Sequence, residues 1–229
     1  LVLRNLATGT ETSYPLVMDY YWSKNGNRLV LKTSRKNNDT LSKARILWVQ
    51  PQEGTMDTIF TGFNDAKNFA IDDAGEQIAF VAERDSSSKA LQKFYRLWYF
   101  RQGMDTAVVQ ASRRSEGVPA GLIVSPDYAN QFSADGKRLF FGLAPMRKPK
   151  DTTLVDFETA RLDIWHYNED YLQTQQLYQL NSEMRRSYLA ITRPGTNVVL
   201  PLGSADMELV ETVDRGNGIL ALGSTNKPY

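Results

Sequence analysis

Apolar and polar positions alternate along this chain in short runs, and the runs meet at glycine turns that return at a fixed interval. FAIDDAGEQIAFVAE around Gly75 shows the unit. Phe69 and Ile71 alternate with Ala70 before the turn, and Ile78 and Phe80 with Ala79 and Val81 after it. Period-two patterning predicts a pair of strands, and glycine supplies the positive φ of a tight hairpin link. YYWSKNGNRLVLKT around Gly26 and NQFSADGKRLFFGLA around Gly136 repeat the pattern, with Asn25-Gly26 and Asp135-Gly136 as stronger turn signals. VETVDRGNGILALGS, with Gly216 and Gly218, reads as a fourth unit. These paired strands are named a and b.

A second kind of turn follows aromatic-aliphatic runs: LVLRNLATGT with Gly9, ILWVQPQEGT with Gly54, RLWYFRQGM with Gly103 and YLAITRPGT with Gly195. The run before the turn is strand c, with Trp48 or Trp98 in its middle. Strand d follows at residues 57–60 and 106–109. Gly26 to Gly75 and Gly54 to Gly103 are both 49 residues, and each a-b turn precedes its c-d turn by 28. An ordinary β-sandwich also has short strands and frequent turns, but it does not usually repeat turn chemistry at two fixed offsets. Four antiparallel strands recurring about every 50 residues are the blade of a β-propeller.

The expected fold is therefore all-β, with four-stranded antiparallel blades. The chain divides into c-d strands at 1–17, blades at 18–62, 63–112 and 128–203, and a-b strands at 207–224. That makes sixteen strands, or four blades' worth. These strands could close as a small ring, the opening c-d pair joining the closing a-b pair in one blade, or form an open arc cut from a larger propeller; the open arc is predicted. Its uncovered edge invites pairing, so a homodimer across that edge is expected.

One unit breaks the rhythm. Gly136 to Gly195 is 59 residues, which leaves about 30 extra residues between b and c, within an insertion at 147–186. LDIWHY in it reads as another strand, and residues 177–186 carry a helical pattern. Long insertions on a regular scaffold are where function is usually carried.

Composition narrows the field. In 229 residues, 41% are hydrophobic and 23% charged, enough to bury a sizeable core. The 27 basic and 26 acidic side chains leave a formal charge of +1, so neither nucleic acid nor a membrane surface is expected as partner. Aromatics at 11% favour sheet. The absence of cysteine excludes disulfides, thiol catalysis and zinc-thiolate sites while leaving the compartment open. No apolar run is long enough to span a bilayer as a helix. The opening LVLRNL, already strand-like, and the abrupt close at Lys227, Pro228 and Tyr229 predict a piece of a longer polypeptide.

Catalytic motifs are missing. There is no G-x-S-x-G elbow, no phosphate-binding G-x-x-x-x-G-K-[ST] and no G-x-G-x-x-G. A Ser-His-Asp triad would have to use the single histidine, His166, which on an apparent strand between Trp165 and Tyr167 reads as structural. Asp72-Asp73 and Asp135-Gly136 read as turn formers, since the ligand spacing of a calcium loop is absent. No metal or other cofactor is expected. Trp22, Trp48, Trp98 and Trp165 are expected to pack between blades. Arg113-Arg114, the basic cluster at 147–150 and Arg185-Arg186 read as solvated loops. Beside His166, the acids Asp163, Glu169 and Asp170 could hold a cation or amine, or could simply line a solvated loop. The break in the rhythm makes Trp165, His166, Glu169 and Asp170 the candidate contacts for a substrate or partner.

FSADGKRLFFG, WSKNGNRLVL and DDAGEQIAFVAE resemble the strand-turn-strand repeat of TolB-type propellers and of the propeller domain in the prolyl oligopeptidase family of serine peptidases. KDTTLVDFETARLDIWHYNEDYLQTQQL, with RSYLAI and ALGSTNKPY after it, resembles the propeller segment of large bacterial members of that family. The resemblance spans residues 1–229. It implies a parent enzyme whose separate α/β-hydrolase domain carries the triad, with the propeller restricting entry to peptides. It also implies a periplasmic or secreted location. Dipeptidyl-peptidase relatives hold the substrate amine with adjacent glutamates on a propeller insertion; here Glu169-Asp170 is the nearest approximation, and the role is not carried over.

Overall fold

The computed structural model describes residues 1–35, 43–87, 90–149, 153, 165–169 and 171–225. A two-stranded sheet comes first, of β1 (Val2–Arg4) and β2 (Glu11–Ser13). Two four-stranded antiparallel sheets follow, each with its strands side by side in chain order. The first holds β3 (Val17–Trp22), β4 (Leu29–Thr33), β5 (Arg45–Gln50) and β6 (Thr55–Thr61); the second holds β7 (Asp65–Ile71), β8 (Gln77–Glu83), β9 (Arg96–Arg101) and β10 (Val108–Ala111). The third large sheet contains β11 (Leu122–Val124), β12 (Gln131–Phe132), β13 (Leu139–Pro145), β14 (Tyr188–Thr192) and β15 (Val199–Pro201). β16 (Leu209–Thr212) and β17 (Ala221–Ser224) pair alone.

Successive sheets pack face to face, so the interior strands are buried on both sides. Val30, Ile46, Trp48 and Phe60 of the β3–β6 sheet meet Ile78, Phe80, Trp98 and Phe100 of the next. From the opposite face of that second sheet, Ala79, Val81, Leu97 and Tyr99 meet Phe132, Leu139, Phe141 and Leu143. Leu29, Leu31, Leu47 and Val49 face the other way, towards Leu3 and Tyr14 of the β1–β2 region. Alternating residues of one strand thus serve two interfaces. Aromatic rings interlock at the first, with Phe60 4.5 Å from Trp98 and 5.3 Å from Phe80. Each fully buried side chain of this size contributes about 1.5–3 kcal/mol.

Meandering four-stranded sheets stacked in series make this an all-β partial propeller. Among the described residues β1 pairs only with β2, and β17 only with β16, so the ring is open.

Three details differ from the sequence expectation. The a-b links are longer than the short tight hairpin expected, six residues between the framing pairs Trp22↔Leu29, Ile71↔Ile78 and Phe132↔Leu139. A buried polar residue opens each loop: Ser23 Oγ accepts from Arg28 N at 2.9 Å, Asp72 Oδ1 from Gln77 N at 2.9 Å, and Ser133 Oγ from Arg138 N at 3.0 Å. This local bonding closes a longer loop that the glycine alone would not. Secondly, the strand count among described residues is seventeen, because the innermost strand of the third sheet is split. β12 pairs with Leu139 and Phe140, whereas β11 pairs with Leu143, Ala144 and Pro145. Between them Tyr128 sits where a side chain on Gly142 would be, 2.2 Å from its ideal Cβ. Thirdly, the helix of the insertion, α1, runs Gln173–Glu183 rather than 177–186.

Candidate functional site

The insertion residues singled out by sequence lie on the surface. Trp165 is 68% exposed, and His166 is in an exposed loop rather than a strand. The earlier part of LDIWHY, and Asp170, fall outside the described residues. The structure gathers His166, Tyr167 and Glu169 into one turn: Glu169 N donates to the His166 carbonyl at 3.1 Å, Asn168 N donates to His166 Nδ1 at 3.2 Å, and the imidazole stacks on Tyr167 at 4.6 Å. Gln176 Nε2 donates to the Glu169 carboxylate at 3.2 Å, tying this turn to α1. Trp165 is exposed beside it, not packed between blades. Trp22, at the end of β3, is also 44% exposed; Trp48 and Trp98 do pack between blades.

Helix α1 buries none of its residues and leaves Leu177, Tyr178 and Leu180 exposed. After it, Arg186 pairs with Glu183 and with Glu208, which stands just before β16. The Arg186 guanidinium thus braces the end of the insertion against the start of the last hairpin.

A second constellation escaped the sequence reading because its members come from four separate turns. Asn25 Nδ2 donates to the Ala74 carbonyl at 2.7 Å, across the 49-residue interval of the repeat. Gln77 Nε2 donates to the Gly136 carbonyl at 3.2 Å, and Arg138 Nη1 to the Gly216 carbonyl at 2.8 Å. Ala134 N donates to the Arg215 carbonyl at 3.1 Å, and Asp135 N to Asn217 Oδ1 at 3.1 Å. The a-b loops are thus stitched to one another in a row. Within it, Asp73 pairs with Lys24 at 3.2 Å from the preceding loop and with Arg215 from the loop two units on. Arg215 and Lys24 hold the Asp73 carboxyl below its ordinary range. Bonds from the Ser133 hydroxyl and Lys137 backbone lower Asp135 to about 2.

Asp73 and Arg215 border a cleft of about 250 Å³ lined by Ala70, Ile71, Asn130, Gln131 and Phe132. A larger, more apolar groove of about 550 Å³ opens between the third large sheet and the β16–β17 hairpin, with Phe140, Ile191, Val198, Leu200 and Leu220 on its walls. Elsewhere, Glu83 is buried, which raises its pKa, but bonds from Ser86 and Asn64 outweigh burial and leave it lowered. Among the described residues no three His, Asp or Glu side chains gather as a metal site, and no helix is long and apolar enough to cross a membrane.

No protein-family model and no curated protein matches the chain. Its similarity to solved structures is distant. TolB from Acinetobacter baumannii is 13% identical over 90% of this chain and 38% of its own, with a TM-score of 0.42. The β-propeller domain of the Trilobed protease from Pyrococcus furiosus, which has an open velcro topology, is 11% identical over 88% of this chain and 62% of its own, with a TM-score of 0.39. Acylaminoacyl peptidase from Pyrococcus horikoshii is 14% identical over 78% of this chain and 22% of its own, with a TM-score of 0.38. The chain thus spans less than two thirds of each. Its class, a partial β-propeller, is carried by its own stacked sheets.

Proposed function

We propose that this chain is a non-catalytic propeller segment of a serine peptidase, gating the entry of peptide substrates to a separate α/β-hydrolase domain of the same parent chain. The observation that carries this reading is the insertion KDTTLVDFETARLDIWHYNEDYLQTQQL in one of a series of propeller sheets, between β13 and β14. Its described part offers a partner exposed aromatic and aliphatic side chains, Trp165, Tyr167, Tyr171 and Leu172 among them, next to Glu169. A periplasmic or secreted setting belongs to the same reading.

The test joins this chain in frame to its adjoining hydrolase domain and compares cleavage of short peptides with cleavage of a folded protein. The fusion is expected to favour peptides, and the isolated chain to hydrolyse neither. Hydrolysis by the isolated chain that His166→Ala abolishes would overturn the reading.

A second reading is favoured by the apolar groove beside β17: a stand-alone module that binds a protein or peptide partner. The neighbouring coding sequence separates the two. A G-x-S-x-G hydrolase in the same frame supports the first, and a stop codon directly after Tyr229 the second.

A further inference from the structure

The row of a-b loops has more built into it than packing needs. Its last member is held in an unfavourable shape: Asp214 and Arg215 both have φ of +51°, consecutive left-handed positions that side-chain-bearing residues avoid. That shape carries Arg215 back over the third large sheet to Asp73 in the second, where Lys24 arrives from the first. One carboxylate therefore joins three loops that belong to different sheets. All three side chains are substantially solvent-exposed, at 65%, 37% and 60% for Lys24, Asp73 and Arg215. Contacts of this kind are weak enough to be broken by salt or by a competing ion. Directly beneath lies the cleft between β7 and β12, walled by Ala70 and Ile71 on one side and by Asn130, Gln131 and Phe132 on the other.

We infer that Arg215 is an ionic strap across this cleft, fastened on Asp73 and poised to open, so that the β16–β17 hairpin swings free of the second sheet when the ion contacts are released. Opening costs only the exposed carboxylate contacts, which are weak in water. The remaining bonds from Ala134, Asp135 and Arg138 act as its hinge, because they hold the loop to the third sheet whether or not Arg215 is fastened. Lys24 is a secondary fastener: it shares Asp73 but crosses to the adjacent loop only, where Asn25 already holds.

The use of such a strap, admitting or excluding an extended peptide beside β12, rests on the gating reading. Its existence does not, and is measured without peptide or hydrolase domain. Amide hydrogen exchange is followed on the 229-residue chain, its Asp73→Asn, Arg215→Gln and Lys24→Gln variants, and the Asp73→Asn/Arg215→Gln double variant. At low salt, exchange over residues 214–218 is expected to rise about five-fold in either single variant at Asp73 or Arg215, and less at Lys24. The double variant should add nothing to the singles, since each removes the same contact. Wild type in 1 M NaCl, where the screening length falls to about 3 Å, should approach the variants. Unchanged exchange at 214–218 in Asp73→Asn, additive effects in the double variant, or protection that persists in 1 M salt would overturn the strap. An equal rise across β8 and β13 would overturn it too, by showing general destabilisation.

Discussion

At the scale of single residues, the repeated glycines do two different jobs that sequence shows as one. Gly103 in a c-d turn has φ of +94° and nothing within 4 Å of where a Cβ would stand. Gly216 also has positive φ, but a Cβ there would lie 2.5 Å from the Phe140 ring and 3.3 Å from the Ser133 backbone. Gly103→Ala should therefore cost about 1–2 kcal/mol, the left-handed penalty alone. Gly216→Ala should cost about 3 kcal/mol or more, overpacking being added. Urea denaturation of the two variants checks the ordering. Asp135 supports a pH test. Its carboxyl is lowered to about 2 in the folded chain, so its contribution is present above the ordinary aspartate range and disappears as pH falls through the folded value. Wild type should accordingly be more stable than Asp135→Asn at pH 6, and the gap should close as pH drops from about 4 to 2. Denaturation midpoints at several pH values would show it; a gap that stays constant down to pH 2 contradicts it.

Among elements, legibility followed burial. β4, β5, β8 and β9 were readable because apolar residues occupy both faces between turn signals, and that pattern exists only where two neighbouring sheets cover a strand. β11 was not readable: three residues after a Gly-Val-Pro-Ala-Gly stretch carry too little pattern, and the strand exists because the far half of β13 needs a partner. Gly142 inside a strand was the available signal, since such a glycine marks a close approach, here by Tyr128. Helix α1 was misplaced because the apolar spacing at 177, 180 and 184 drew its start too late, while its first turn is glutamine and threonine, helical without an apolar face. Of the candidate site, the turn at His166 and Glu169 was legible only as a location. The Asp73, Lys24 and Arg215 contacts span up to 142 residues of chain, a distance that no local pattern encodes. The four tryptophans divide by element as well. Trp98→Ala on β9 should cost about 3–5 kcal/mol, as for a buried ring, whereas Trp22→Ala at the exposed end of β3 should stay within about 1 kcal/mol. Equal losses from the two in thermal or urea unfolding would contradict the packing described.

On the scale of the whole molecule, the open arc leaves β17 with one edge unpaired among the described residues and an apolar groove beside it. In the two complete sheets the equivalent place is taken by an antiparallel strand, β5 or β9, with aromatic residues such as Trp48 or Trp98 turned into the interface. An uncovered edge of this kind recruits another chain. We expect the isolated chain to pair with a second copy across it, so small-angle scattering should report a particle of twice the 25.9 kDa mass. A monomer at all concentrations, or a closed monomeric ring, would count against this association. The doubly covered sheet has a different consequence. β7–β10 has a neighbour on each face, whereas the outermost described hairpins have one, and in such a linear stack stability is mostly a sum over nearest-neighbour contacts. Loss of structure should then proceed inwards from both flanks, with β8 the last strand to let go and the first place where a refolding chain can take hold.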